Sequence, residues 1–257
     1  MKRVWFRFYA ELNDFLPPAR RQIAFPLAFD GRESVKDLIE SLGVPHTEID
    51  LVLVNGDPAD FARLVNDGDR VSTYPAFRRL DIGSVTRVRP APVAGAIFVL
   101  DTHLGRLAAY LRLAGFDAQY RADRDDETLA SMSRDEQRIL LTRDQALLKR
   151  RAITHGYYVR DTSARRQLIE VIRRFDLLPL MRPFSRCLRC NSLVEPVARE
   201  AVVDQLPPRT RLHYHEFSRC PTCSRVYWKG SHHDWMRALL ERATAEARTG
   251  TGDGVRR

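Results

Sequence analysis

Between residues 97 and 175 the chain switches repeatedly between two hydrophobic rhythms. Ile97-Phe98-Val99-Leu100 is an uncharged apolar run ending on Asp101, which predicts a buried strand that delivers this carboxylate to its C-terminal tip. Leu104, Leu107, Ala108 and Leu111 follow at i, i+3, i+4 and i+7, an amphipathic helix with Gly115 placed as its stop. Phe116 to Tyr120 reads as a second strand. The chain then turns acidic at Asp123, Asp125, Asp126 and Glu127 before a helical segment reaching about Arg138. Ile139-Leu140-Leu141 predicts a third strand ending in Thr142-Arg143-Asp144, with a short helix over residues 146–151. Tyr157-Tyr158-Val159 predicts a fourth, ending in Arg160-Asp161, and Leu168, Val171, Ile172 and Phe175 mark the helix after it. Strands and helices alternating through short turns predict a parallel sheet flanked by helices, an α/β fold. Asp101, Asp126, Asp144 and Asp161 would then lie along the carboxyl edge of that sheet, where open α/β folds bind ligands.

Residues 1–76 follow another pattern. Val4-Trp5-Phe6-Arg7-Phe8 and Ile23-Ala24-Phe25 read as strands, and Ser34 with Asp37 forms a capping-box signal for a helix carrying Val35, Leu38, Ile39 and Leu42 to a stop at Gly43. Leu51-Val52-Leu53-Val54, an Asn55-Gly56 turn and Arg70-Val71-Ser72-Thr73-Tyr74 complete a ββαββ order. This order resembles the ubiquitin-like β-grasp fold of small sulfur carriers. Those proteins act through a free C-terminal Gly-Gly, whereas this stretch continues as Pro75-Ala76-Phe77-Arg78-Arg79. An interaction or scaffold module with a protein partner is therefore expected, in preference to a sulfur carrier or conjugated modifier. Residues 77–95, with Arg78, Arg79, Arg87, Arg89 and Pro90-Ala91-Pro92, read as a solvated linker whose arginines could also meet phosphates.

All four cysteines fall between residues 183 and 237, as Cys187-x2-Cys190 and Cys220-x2-Cys223 with 29 residues between the pairs. This spacing predicts a zinc ribbon in which four thiolates fill a tetrahedral shell, so the Zn2+ is structural and keeps no open position for catalysis. His213, His215, His232 and His233 lie nearby as substitute ligands. Tyr227-Trp228-Lys229 carries the mixture that stacks on bases and pairs with phosphates, or else closes the small core of the ribbon. Residues 238–257 read as the end of a helix and a disordered tail, frayed from Ala243 onward.

Composition narrows the classes. With 44% hydrophobic residues in 257, the chain can fill cores for one to three domains, and a formal charge of +9 suits a polyanionic partner such as nucleic acid. Arg7 and Glu11 interrupt the first apolar stretch, so a signal peptide is not expected, and no run reaches the roughly 20 apolar residues of a membrane span. A cytoplasmic location without membrane attachment is the resulting expectation.

Any one aspartate at a strand-to-helix turn reads first as an N-cap. Four of them in one crevice would repel one another unless cations neutralise them, and an all-oxygen set selects Mg2+ or Mn2+, completed by substrate phosphate. The chemistry this predicts is phosphodiester hydrolysis, with the ion helping to deprotonate water and stabilise the leaving oxygen.

The runs Asp101-Thr102-His103-Leu104-Gly105-Arg106-Leu107-Ala108, Leu111-Arg112-Leu113-Ala114-Gly115-Phe116-Asp117, Leu140-Leu141-Thr142-Arg143-Asp144, Ser185-Arg186-Cys187-Leu188-Arg189-Cys190-Asn191 and Tyr227-Trp228-Lys229-Gly230-Ser231-His232 resemble the Mut-seven C-terminal RNase family. That resemblance spans about residues 96–237. It implies a PIN-like nuclease domain over residues 96–182, an appended zinc ribbon over 183–237, and a preceding ubiquitin-like domain of the kind many prokaryotic members carry. It further implies metal-dependent ribonuclease activity, with Asp101 and Asp144 as the most diagnostic acids, Asp126 as the helix-start acid and Asp161 as a fourth. Arg106, Thr142 and Arg143 match family positions near the site and are expected to orient phosphate. Endonuclease and 3′-to-5′ exonuclease action both fit, and a non-catalytic RNA-binding adaptor, its acids serving only as caps, is the rival reading.

Overall fold

The alternation of Val4, Phe6 and Phe8 with Arg3, Trp5 and Arg7 produces β1 (Lys2–Phe8), one face of which is buried. In the computed structural model, which describes residues 1–77, 80–90 and 95–249, β1 is followed by β2 (Phe25–Phe29), α1 (Val35–Ser41), β3 (Leu51–Val54), β4 (Asp57–Pro58) and β5 (Arg70–Tyr74). The sheet order is β2-β1-β5-β3-β4, with β1 antiparallel to β2 and parallel to β5. This is the expected β-grasp, with the second strand shifted past Ile23 and a two-residue strand added after the turn. The Ser34 capping box is present, with the Asp37 N–H donating to Ser34 Oγ at 3.2 Å. Asn55 and Gly56 take φ of 55° and 95°, as a tight hairpin turn requires. Val4, Phe6, Phe8, Ile39, Val52 and Val71 fill the core.

The segment read as a solvated linker is partly fixed onto this fold. Val88 enters the core, Thr86 Oγ1 donates to Asp50 O at 2.5 Å, and the Arg89 guanidinium forks onto the Asp50 carboxylate, with Nε at 3.0 Å from Oδ1. Arg89 is thus committed to a carboxylate and held above its ordinary pKa chiefly by that hydrogen bond. Arg78, Arg79, Ala91 and Pro92 lie outside the described residues.

The chain continues through β6 (Ile97–Leu100), α2 (Gly105–Leu113), β7 (Asp117–Tyr120), α3 (Asp126–Asp135), β8 (Ile139–Thr142), α4 (Gln145–Leu148), β9 (Gly156–Tyr158) and α5 (Ala164–Arg174). After these come β10 (Glu195–Val197), α6 (Pro208–His213), β11 (Phe217–Arg219), β12 (Val226–Trp228) and α7 (Ser231–Thr249). Two units result, Met1–Val93 with Asp125–Tyr158, and Ala94–Arg124 with Val159–Arg257.

In the first unit, β8 and β9 pair in parallel, Leu141 beside Tyr157. The β-grasp is fastened to this strand–helix segment by buried polar groups. Glu48, 2% exposed, accepts from the Tyr158 N–H at 2.6 Å. His46 lies between Glu40 Oε1 at 2.6 Å and Ile153 O at 2.9 Å, and Lys149 Nζ donates to Glu40 O at 2.9 Å. Phe15 meets Tyr158 edge-on at 5.4 Å.

In the second unit, β6 and β7 pair in parallel, Phe98 beside Ala118, as the alternating pattern predicts. A three-stranded antiparallel sheet, β10-β11-β12, forms the ribbon. The expected frayed tail is helical as far as Thr249, because α7 lays Ala243 and Ala247 inward and holds itself to α5 through Arg165 on Glu246 at 2.8 Å and Arg173 on the Glu246 and Ala247 carbonyls. Small alanines looked like low-complexity sequence because their spacing of four signals a helix face only when another helix is there to meet it. Residues 250–257 are outside the described set.

Gly115 ends α2 at φ +98°, and a Cβ there would lie 2.1 Å from Arg182 O. Arg182 N and Phe184 N in turn donate to Ala114 O and Leu113 O, both at 2.9 Å. Gly115→Ala is expected to destabilise the protein by about 2 kcal/mol, since it combines left-handed strain with a backbone clash. Urea unfolding followed by circular dichroism checks this, and an unchanged midpoint would contradict it.

Candidate functional site

The two C-x-x-C turns fold alike. Cys187 N donates to Ser192 O and Asn191 N to Cys187 O, at 2.8 and 2.9 Å. Cys220 N donates to Arg225 O and Ser224 N to Cys220 O, both at 2.9 Å. Asn191 and Ser224, each following the second cysteine of its pair, take positive φ of 73° and 57°, which turns each loop tightly enough to aim both sulfurs one way. Among the described residues, these four cysteines form a group whose Sγ atoms all lie within 4.8 Å of one another, with 3.6 Å between Cys187 and Cys223 and 3.3 Å between Cys190 and Cys220. Four thiolates around Zn2+ at about 2.3 Å would be separated by about 3.8 Å, so the donor set fits a closed, structural zinc site. The cysteines are free thiols, and their separations exceed an S–S bond of about 2.05 Å.

The charges of the group are uneven. Burial pushes the Cys187 thiol up, but hydrogen bonds from the Tyr227 hydroxyl and the Cys190 and Arg189 N–H groups outweigh it and bring it to about 6. At Cys223 an N–H from Arg225 pulls down, while burial and the neighbouring sulfurs push the thiol up to about 12. Side-by-side thiolates repel, and a divalent cation removes that conflict by taking all four deprotonated. Burial first, then its bond to Cys187, also raises the Tyr227 hydroxyl.

Tyr227 is therefore bound into the cluster. Its hydroxyl donates to Cys187 Sγ at 3.1 Å and accepts from Leu188 N at 3.2 Å. Trp228 packs against Val202, Leu206 and Phe217, while Lys229 reaches Glu216 on the surface. The ribbon-closing role describes Tyr227 and Trp228. His232 stacks on Trp235 and His233 packs tilted against Phe184, apart from the cysteine ligand set.

Two residues that sequence reasoning passed over anchor the ribbon. Arg112, 4% exposed, donates Nε to Ala118 O at 2.8 Å and Nη1 to Leu188 O and Arg189 O at 3.0 and 2.9 Å. Asn191, 3% exposed, accepts from Ala118 N at 3.0 Å and donates to Asp117 Oδ1 at 2.8 Å. The signals were an arginine set between Leu111 and Leu113 of an apolar helix face, and an asparagine directly after C-x-x-C.

The predicted acids all sit where strands hand over to helices. Asp101 directly follows β6, is 7% exposed, and accepts from the Thr102 N–H at 2.5 Å. Asp161, beyond β9, accepts from Ser163 N at 2.8 Å, and its own carbonyl accepts from Gln167 Nε2 at 2.8 Å. Both belong to the second unit. Asp126 and Asp144 belong to the first. Asp144 is the N-cap of α4, Oδ1 accepting from Ala146 N at 2.7 Å and Leu147 N at 3.3 Å, while its N–H donates to Thr142 Oγ1 at 2.9 Å. Asp126 opens α3 half-exposed, 3.7 Å from Arg150, and Asp125 is the residue that caps that helix through Thr128 N. Thr142 is fully buried, Arg143 half-buried, and Arg106 exposed on α2.

Cys187→Ser is expected to drop zinc from about one ion per chain toward none and to raise hydrogen exchange at Ala118 and Asn191, because a structural ion supplies folding energy to its own knuckle. Metal analysis with exchange mass spectrometry checks both, and retained zinc would contradict the assignment.

Comparison with known families divides the chain by sequence, so that residues 125–158 of the first unit fall within the second of two matches. The model of the Mut7-C RNAse domain matches residues 96–240, and that of the Mut7-C ubiquitin domain matches residues 1–81. Among solved structures, small archaeal modifier protein 1 of H. volcanii is similar at 20% identity, covering 30% of this chain and 100% of its own, with a TM-score of 0.25. Comparison with curated proteins finds no match. No helix among the described residues is long and apolar enough to cross a membrane. The 96–240 match takes in more than half of the 257 residues, along with the four-cysteine group and each of the acids: this chain belongs to the Mut7-C RNAse domain family, with a Mut7-C ubiquitin domain ahead of it.

Proposed function

We propose that this protein is a metal-dependent ribonuclease that hydrolyses RNA phosphodiester bonds at a PIN-like acidic site made by Asp101, Asp126, Asp144 and Asp161. The observation that carries this reading is the RNase-domain match over residues 96–240, which contains all four acids at strand-to-helix junctions. Asp101, Asp126 and Asp144 would hold Mg2+ or Mn2+, since an all-carboxylate donor set suits hard divalent ions. When bound, such an ion activates water and neutralises charge at phosphorus.

The chain's own share is positioning. Backbone N–H groups fix Asp101 and Asp144, so neither carboxylate has to be ordered when substrate arrives. Arg150 beside Asp126 keeps that carboxylate balanced until a metal cation competes for it. Arg106 and Arg143 supply cations to orient phosphate, Thr142 holds the Asp144 backbone, and Lys229, with the half-buried Tyr227 and Trp228, extends the RNA contact. The zinc ion, its shell filled by four thiolates, takes no part in the chemistry.

A non-catalytic RNA-binding reading draws on the same hydrogen bonds, because Asp101, Asp144 and Asp161 all accept local backbone N–H groups. Asparagine caps a helix about as well as aspartate but carries no charge, so Asp→Asn separates the two roles. In digests of 5′- and 3′-labelled single-stranded RNA with Mn2+ or Mg2+, Asp101→Asn and Asp144→Asn are expected to slow cleavage by about 100-fold or more with unchanged melting temperature. Wild-type rates in both variants would overturn the reading, and the label pattern separates internal cuts from end trimming.

A further inference from the structure

The outward face of the β-grasp sheet has no part in the nuclease reading. Burial of Val4, Phe6 and Phe8 on β1 and of Val71 and Thr73 on β5 turns Arg3, Trp5, Arg7, Arg70, Ser72 and Tyr74 to the opposite side. The registers Trp5 beside Arg70 and Arg7 beside Ser72 make these one array on neighbouring strands. Trp5 stands on a central strand, between β2 and β5, and is still 40% exposed. Tyr9 continues the β1 row, stacked on Tyr74 at 4.3 Å and 11° with the Arg7 guanidinium 5.0 Å over its ring. The outward positions of β2 beside this array are Pro26 and Ala28, so no carboxylate comes from that side. Among the described residues, the guanidinium groups of Arg3, Arg7 and Arg70 have no ion-pair partner.

We propose that this face is a binding platform for single-stranded RNA, separate from the acidic site, in which a base stacks on Trp5 beside the Tyr9–Tyr74 pair and phosphates meet Arg3, Arg7 and Arg70. An acidic peptide would satisfy the arginines but leave the indole face without a partner, and a duplex would hide the base faces. A single strand uses both at once, since it presents unpaired bases and a charge at each step. The choice of RNA over DNA rests on the ribonuclease reading; the stacking and charge do not.

The test is fluorescence anisotropy of a labelled 12-nucleotide oligo(U) with full-length protein carrying Asp101→Asn, so that cleavage does not consume the probe. Trp5→Ala is expected to weaken binding about tenfold, at the lower end of what one stacked base contributes, and Trp5→Phe to restore most of it. Arg3→Gln, Arg7→Gln and Arg70→Gln together should flatten the slope of log affinity against log salt by about 2, at about 0.7 per phosphate contact. With Trp228→Phe and Trp235→Phe leaving Trp5 as the sole indole, oligo(U) should quench its fluorescence. Affinity within twofold of the parent in Trp5→Ala, an unchanged salt slope, or quenching by oligo-glutamate equal to that by oligo(U) would overturn the proposal, the last result pointing to a protein-docking face. Because the readout is binding, wild-type protein that fails to cleave RNA while Trp5→Ala loses affinity would remove the nuclease reading and leave this one standing.

Discussion

The guanidinium of Arg112 is the interaction on which the second unit depends. Buried on α2, it donates to the carbonyl of Ala118 on β7 and to those of Leu188 and Arg189 in the first cysteine turn. Asn191 completes the joint with the Ala118 N–H and the Asp117 carboxylate. A strand edge and a metal knuckle each present backbone groups that would be left unsatisfied on burial, and here each is the other's solution. Burial lowers the Arg112 pKa, while negative charge on Cys187, Cys190 and Asp117 opposes that shift. Negative charge on the ribbon cysteines therefore offsets part of the cost of burying the arginine's charge. The tip of β6 inherits this order, because β7 runs beside it and Tyr120 donates from β7 to Thr102 O, directly after Asp101.

The other unit is held by a different kind of joint. Glu48 and His46 are buried polar groups of the β-grasp that take their partners from residues 153–158, the stretch around β9. Removing one partner from such a pair leaves the other desolvated and unpaired, which makes the attachment specific as well as strong. The ubiquitin-like module is thus built into the strand–helix segment that carries Asp126 and Asp144, and is more than a tethered accessory. Its outward sheet face carries Trp5 and three arginines.

Aspartate suits the strand-to-helix junctions twice over. Its carboxylate is a strong acceptor for the orphan N–H groups of a helix start, and the same oxygens are the donors a hard cation prefers. At Asp144 both capping bonds fall on Oδ1. A helix cap and a cation ligand call for the same side chain for this reason, and only a substitution that keeps the cap and removes the charge tells the two roles apart.

Much of this was legible in the sequence because it is local. Period-two alternation set β1, the uncharged runs set β6 and β8, Ser34 and Gly115 set a helix start and stop, and C-x-x-C spacing set each of the two cysteine turns, each through contacts or spacings within a few residues. The position of each acid at a strand end was legible for the same reason. Tertiary structure alone decided the rest. Arg112 and Asn191 look ordinary until residues 70 or more positions away supply their partners, Ala243 and Ala247 look like a tail until α5 covers them, and Arg89 looks solvated until Asp50 meets it. Hydrophobic period and turn chemistry are properties of short stretches, whereas the satisfaction of a buried polar group depends on which distant segment arrives beside it.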